Sequence, residues 1–227
     1  MATILQIETA TQVCSAAISR NGETIALKEQ MASNIHAGSL TLFIKAAMDT
    51  AGLQFKDLDA VAVSKGPGSY TGLRIGVSTA KGLCFALDKP LIAIDTLKMM
   101  ADGFLKLNAG YEGLVCPMID ARRMEVFTAV FDARLKPVRP IEAKIIDTES
   151  FAAELDLAQI TFIGDGAMKC ENVLQQANAV FMSDNFNSAA NMSQLANAAY
   201  AEGQFEDVAY FEPFYLKDFV ATSPKNK

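Results

Sequence analysis

Four groups of residues could carry chemistry, and each is incomplete for the reaction it suggests. The stretch Lys65-Gly66-Pro67-Gly68-Ser69-Tyr70-Thr71-Gly72-Leu73-Arg74-Ile75-Gly76 joins an apolar run, Ala60-Val61-Ala62-Val63, to a segment of helical periodicity. Glycines between a strand and a helix start can turn backbone N–H groups toward an anion. No Gly-Lys-Ser/Thr follows, so this is not a P-loop, and the spacing to Gly72 does not suit a dinucleotide turn. Arg74 sits in the first helical turn, where the dipole disfavours a cation unless it is paired, so a carboxylate of its own lobe is the expected partner. Glu8-Thr9-Ala10-Thr11 offers one carboxylate that could hold Mg²⁺ through water, but no glycine follows to let amides approach a phosphate. Gly164-Asp165-Gly166 could be a vestigial nucleotide turn, although a strand-to-helix turn needs only its glycines. His36 is the only histidine. With neither cysteines nor carboxylates clustered beside it, and no serine in a Gly-x-Ser-x-Gly elbow, no metal ligand and no catalytic residue is assigned. His36 is expected at the start of the first helix as a surface or interface residue.

The glycines past the turn suggest a second role. Pro67 presets φ for the first central position of a type II turn and Gly68 can take the positive φ that follows, while Ser69 and Thr71 offer N-caps. Gly72, Gly76 and Ala80 then recur four apart on one helix face, with Thr79 and Leu83 beside them. Each mid-helix glycine costs about 1 kcal/mol relative to alanine, so something is expected to approach that face closely, either another element of the same domain or another subunit.

The elements that must position these residues follow from periodicity. Strands are expected at residues 3–7, 13–18 and 24–31, the last two joined by Asn21-Gly22, whose residues tolerate the two positive φ angles of a type I′ hairpin. A helix over 35–51 follows from Leu40, Ile44, Ala47 and Met48, capped by Ser33 or Asn34 and stopped by Gly52. Next come a strand at 60–64, the helix to about Leu87, a strand at 90–94 and a helix from Thr96. A similar order recurs: strands at 114–119, 125–131 and 138–146, a helix at 148–157, a strand at 160–163, a helix at 167–177, a strand at 180–182 and a helix at 188–201. Two lobes of β-β-β-α-β-α-β-α order make an α/β chain with the pattern of the actin-like ATPase (ASKHA) fold. The division is residues 1–99, residues 100–212, and a tail at 213–227 that packs back on the first lobe and frays after Phe219.

At 227 residues and 51% apolar composition the chain can bury a substantial core. No stretch approaches the roughly 18 uninterrupted apolar residues of a membrane helix, and no leader is visible, so a soluble cytoplasmic chain is expected. Cys14, Cys84, Cys116 and Cys170 lie far apart and read as free buried thiols. A net charge of −6 argues against gripping a phosphate backbone alone.

The blocks Ile4-Leu5-Gln6-Ile7-Glu8-Thr9-Ala10-Thr11, Ser64 to Gly76, Met118-Ile119-Asp120-Ala121-Arg122-Arg123-Met124-Glu125-Val126-Phe127, Gly164-Asp165-Gly166 and Pro213-Phe214-Tyr215-Leu216-Lys217 together resemble the TsaB (YeaZ) family across nearly the whole chain. That resemblance implies a subunit of the bacterial machinery that places N6-threonylcarbamoyl on adenosine 37 of tRNAs reading codons that begin with adenine. It implies a non-catalytic partner of the paralogue TsaD, which carries a paired-histidine metal site, together with the ATPase TsaE. It also implies a homodimer when alone, tRNA contact only through the complex, and no membrane. No cofactor is expected beyond a weak or interfacial nucleotide, for which Glu8, Thr9, Gly164, Asp165 and Gly166 are the candidates. Glu8 stands where relatives usually have Asp, and Met124 where many have Gly. Pairing is expected through the two first-lobe helices, with His36, Leu40, Gly72, Arg74, Gly76, Thr79, Ala80 and Leu83 at the interface. The alternative is an active ATPase or small-molecule kinase of the same fold, working through Glu8 and Gly164-Asp165-Gly166. A peptidase finds no coherent nucleophile and base.

Overall fold

The computed structural model describes residues 2–217. Its first sheet begins with three antiparallel strands, β1 (Thr3–Glu8), β2 (Val13–Arg20) and β3 (Glu23–Met31). Asn21 and Gly22 take φ of 54° and 83° in the hairpin between β2 and β3, as a type I′ turn demands. Helix α1 (His36–Ala51) ends on Gly52 in the left-handed conformation at φ 67°. Its start differs from expectation: Ile35 is the N-cap and makes no side-chain cap bond, while Asn34 is turned to φ 60°. Strand β4 (Ala60–Gly66), helix α2 (Tyr70–Leu87) and strand β5 (Leu91–Asp95) complete a sheet of order β3-β2-β1-β4-β5, in which β1, β4 and β5 are parallel.

Helix α3 (Thr96–Leu107) leads to the second sheet, built from β6 (Leu114–Asp120), β7 (Glu125–Phe131), β8 (Pro137–Ile145), β9 (Ile160–Ile163) and β10 (Ala179–Phe181). Read from β8, its order is third, second, first, fourth and fifth, the order of the first sheet. Two such sheets in tandem are the actin-like ATPase fold. The second lobe carries less helix than its periodicity predicts. Helix α4 is only Ala152–Leu157, and the helix expected at 167–177 is a 3₁₀ turn at Met168–Cys170 followed by turns. There Leu174 is buried, and Gln176 and Asn178 donate side-chain hydrogen bonds to Thr148 O and Leu155 O. The last helix divides into a 3₁₀ turn at Ala189–Met192 and α5 (Ser193–Ala201).

Three apolar clusters hold these layers together. Helices α1 and α2 lie side by side on one face of the first sheet, burying Leu40, Ile44, Met48 and Val77 against Leu5, Ile7, Val61 and Val63. Cys116, Phe151, Phe162 and Leu174 fill the outer core of the second lobe. The third cluster joins the lobes, because α3 packs on β6 and β7 while α5 and the 3₁₀ turn before it pack on β1, β2 and β5. Met100, Phe104, Phe127 and Met192 meet there. The boundary drawn at 99/100 therefore falls inside α3, a helix shared by both halves. Phe214 and Tyr215 lie against the first lobe while Lys217 reaches Glu125 of the second, and the fraying expected after Phe219 lies outside the described residues.

Candidate functional site

A cleft of about 890 Å³ opens between the lobes. The first lobe lines it with Ala10–Gln12 of the turn between β1 and β2 and with the N-terminal ends of α1 and α2; the second contributes Ile119, Asp120, Arg122 and Asp165. Tyr215, Leu216 and Lys217 complete the wall.

The start of α2 is built around the turn between β1 and β2. Gly66-Pro67 is a cis peptide and Gly66 takes φ +114°, so the positive φ falls on Gly66 and the expected type II turn with Gly68 in that role is not formed. Ser69 caps the helix, its Oγ accepting from Gly72 N at 3.3 Å, and its own N–H donates to Ala10 O at 2.7 Å. A β-carbon at Gly68 would collide with Ala10 O, at Gly72 with Thr9 O, and at Gly76 with Thr9 Oγ1. Thr9 Oγ1 donates to Gly72 O at 2.8 Å. The glycine face therefore admits a loop of the same lobe.

That geometry corrects most of the expected interface. Gly72, Gly76 and Ala80 are buried within the chain, as are Leu40 and His36, whose Nε2 lies 3.1 Å from Val13 O. Of the eight residues, Arg74 is exposed and Thr79 and Leu83 are half-buried. Among the described residues Arg74 makes no ion pair with a carboxylate: it stacks over the Tyr70 ring at 4.1 Å and donates from Nε to Tyr215 Oη at 3.1 Å. The outward faces of α1 and α2 instead carry Leu42, 65% exposed, and Phe85, 85% exposed. Periodicity located both helices, and of the two occupants open for the glycine face the structure places there an element of the same lobe, the turn between β1 and β2.

The nucleotide candidates divide. Glu8 and Thr9 are fully buried beneath the turn and do not line the cleft. Glu8 Oε1 accepts the Ala10 N–H, and its Oε2 has no hydrogen-bond partner of full geometry among the described residues, with Ser64 on β4 beside it. Burial pushes this carboxyl up to about 7, against the opposing pull of the Ala10 amide. A group so sealed cannot hold Mg²⁺ through water, which corrects that expectation. Asp165 does reach the cleft; burial raises its pKa, and its Oδ1 accepts from Asp120 N at 3.0 Å. Gly164 takes φ +97° at the turn, and a β-carbon at Gly166 would meet the Ile119–Asp120 backbone, so both serve the packing of that turn on β6. The Lys169 ammonium holds Asp120 Oδ1 together with Arg123 O and Glu125 O. Arg122 and Arg123 occupy the left-handed region at φ 71° and 50° in the turn between β6 and β7. Nothing in Asp120-Ala121-Arg122-Arg123 signals this, since neither glycine nor asparagine is present. Among the described residues no three His, Cys, Asp or Glu side chains cluster to hold a metal ion.

Residues 27–225 match the family described as TsaD: tRNA N6-adenosine threonylcarbamoyltransferase. The chain is 35% identical over 128 residues to the tRNA threonylcarbamoyladenosine biosynthesis protein TsaB of Escherichia coli, a match covering 56% of this chain and 54% of that one. It is 33% identical over 129 residues to the Bacillus subtilis protein of the same name, covering 57% and 55%. The chain thus spans about half the length of the curated relatives it matches. The solved structure of YeaZ from Pseudomonas aeruginosa superposes with a TM-score of 0.82 at 28% identity, over 95% of this chain and 100% of that one.

Proposed function

The chain belongs to the tRNA N6-adenosine threonylcarbamoyltransferase family, with the TsaB (YeaZ) proteins, and from that premise we propose that it is a non-catalytic subunit of tRNA threonylcarbamoylation at adenosine 37. In this reading it binds and supports a catalytic TsaD paralogue through the outward face of α1 and α2, and tRNA is engaged only by the assembly. The observation that carries the reading is the single, buried, backbone-bonded His36. A paired-histidine centre has no second histidine to draw on, so the metal chemistry of the reaction falls to the partner.

The exposed Phe85 and Leu42 support the choice of surface. Large apolar side chains standing out from two adjacent helices are what a helical interface buries. The competing ATPase or kinase reading requires a carboxylate in the cleft at the end of β1, and the carboxyl there is sealed under Thr9 and Ala10. The reading places no nucleotide chemistry on Glu8 or Thr9.

Depletion of the chain from its native cell, followed by mass spectrometry of tRNA nucleosides, tests this. Loss of N6-threonylcarbamoyladenosine, restored by the wild-type chain and equally by Glu8→Gln, is the expected result. Unchanged nucleoside content on depletion would overturn the reading, and failure of Glu8→Gln to restore it would favour the enzyme.

A further inference from the structure

The block Pro213-Phe214-Tyr215-Leu216-Lys217 takes no part in the function proposed above, yet it touches both lobes. The segment that delivers it leaves the first sheet at Glu206, whose N–H donates to Leu91 O at 2.9 Å. It then runs beside α2, where Lys81 Nζ donates to Ala209 O at 3.1 Å and Phe211 O at 2.9 Å. At the junction of β4 and α2, Phe214 N donates to Lys65 O at 2.7 Å. Phe214 O fills the space a β-carbon on Gly66 would need, 2.6 Å away, which accounts for a glycine there beyond its positive φ. Tyr215 follows, its ring centroid 4.8 Å from that of Tyr70 and its hydroxyl accepting from Arg74 Nε. Leu216 packs against the apolar cluster between the lobes, and Lys217 Nζ reaches Glu125 Oε2 on β7.

We propose that residues 212–217 are a releasable clasp that closes one side of the interlobe cleft and fixes the angle between the lobes. The anchorage is graded along the segment. Its first-lobe end is held by the Phe214–Lys65 backbone bond, the contact of the Tyr215 ring with Tyr70 and the hydrogen bond from Arg74 to the Tyr215 hydroxyl. The second-lobe end depends on a partly exposed ion pair and on Leu216. Exposed ion pairs hold weakly and are screened by salt, so the clasp opens from Lys217 backward. A ligand entering past Tyr215, or a hinge motion of the second lobe, has to release that end first. This inference rests on the contacts alone and stands or falls independently of the role in tRNA modification.

Amide hydrogen exchange on the full chain, read by mass spectrometry, provides the test. Lys217→Glu and Glu125→Lys should each speed exchange at residues 120–126 by about 2- to 5-fold, the size expected for losing a partly exposed pair. The double variant should return it to the wild-type rate, and α1 should be unchanged throughout. Tyr215→Ala, altered only in the first-lobe contact, should raise exchange at 120–126 as well as at 66–72. Singles that exchange like wild type, a double no slower than the singles, or a Tyr215→Ala effect confined to residues 212–217 would each overturn the clasp.

Discussion

Thr9 and Gly72 are interlocked: Thr9 Oγ1 donates to Gly72 O at 2.8 Å, while the Thr9 carbonyl occupies the space that a β-carbon on Gly72 would need. The turn between β1 and β2 is thereby clamped to the first turns of α2, and the turn in turn seals Glu8 from the cleft.

Gly72→Ala and Gly76→Ala should each destabilise the chain by about 1–3 kcal/mol, because backbone or a bonded hydroxyl must move to admit the methyl group. Gly82 lies on the same helix with open space around its β-carbon position, so Gly82→Ala should stabilise by about 0.5–1 kcal/mol. Denaturant titration of the three variants decides; equal effects would refute the clamp.

Glu8 should make stability depend on pH. Its carboxyl is raised from an ordinary value of 4.5 to about 7 in the folded chain. The native state therefore binds the proton more tightly, and the stability this confers is present in full below 4.5 and lost as pH rises through about 7. Glu8→Gln keeps an acceptor for the Ala10 amide and should flatten that slope, leaving the variant more stable than its parent at pH 8 by on the order of 3 kcal/mol. Parallel stability-versus-pH curves for the two proteins would contradict the buried acid.

All four cysteines are buried, and burial pushes Cys14 and Cys84 up to about 11 and Cys116 up to about 12. A disulfide-exchange reagent should leave the native chain unlabelled at pH 8 and label four thiols in denaturant, since the thiolate is the reacting species. Rapid labelling of the native chain would show that one of these sites opens.

Much of the first lobe was legible because its signals are local. Asn21-Gly22 fixes a hairpin, Leu40, Ile44 and Met48 mark a helix face, and Gly52 stops it. The second lobe was harder: residues 167–177 are good helix formers, but Leu174 is buried in a turn and Gln176 and Asn178 bond to distant carbonyls, choices that only tertiary context makes. The site shows the same limit. Gly72, Gly76 and Ala80 announce a close approach without saying what approaches, and Thr9, 63 residues before Gly72, carries no sign that it is the answer. Arg74 finds tyrosines at positions 70 and 215 where a carboxylate was expected, since stacking and a phenol oxygen satisfy the same cation.

If the outward face of α1 and α2 binds a catalytic paralogue, co-purification from the native cell reads that contact. The wild-type chain should recover the paired-histidine transferase. Leu42→Glu combined with Phe85→Glu, both at exposed positions, should reduce that recovery at least about tenfold with the thermal midpoint unchanged. Undiminished recovery by the double variant, or a wild-type chain that recovers no such paralogue, would contradict the account.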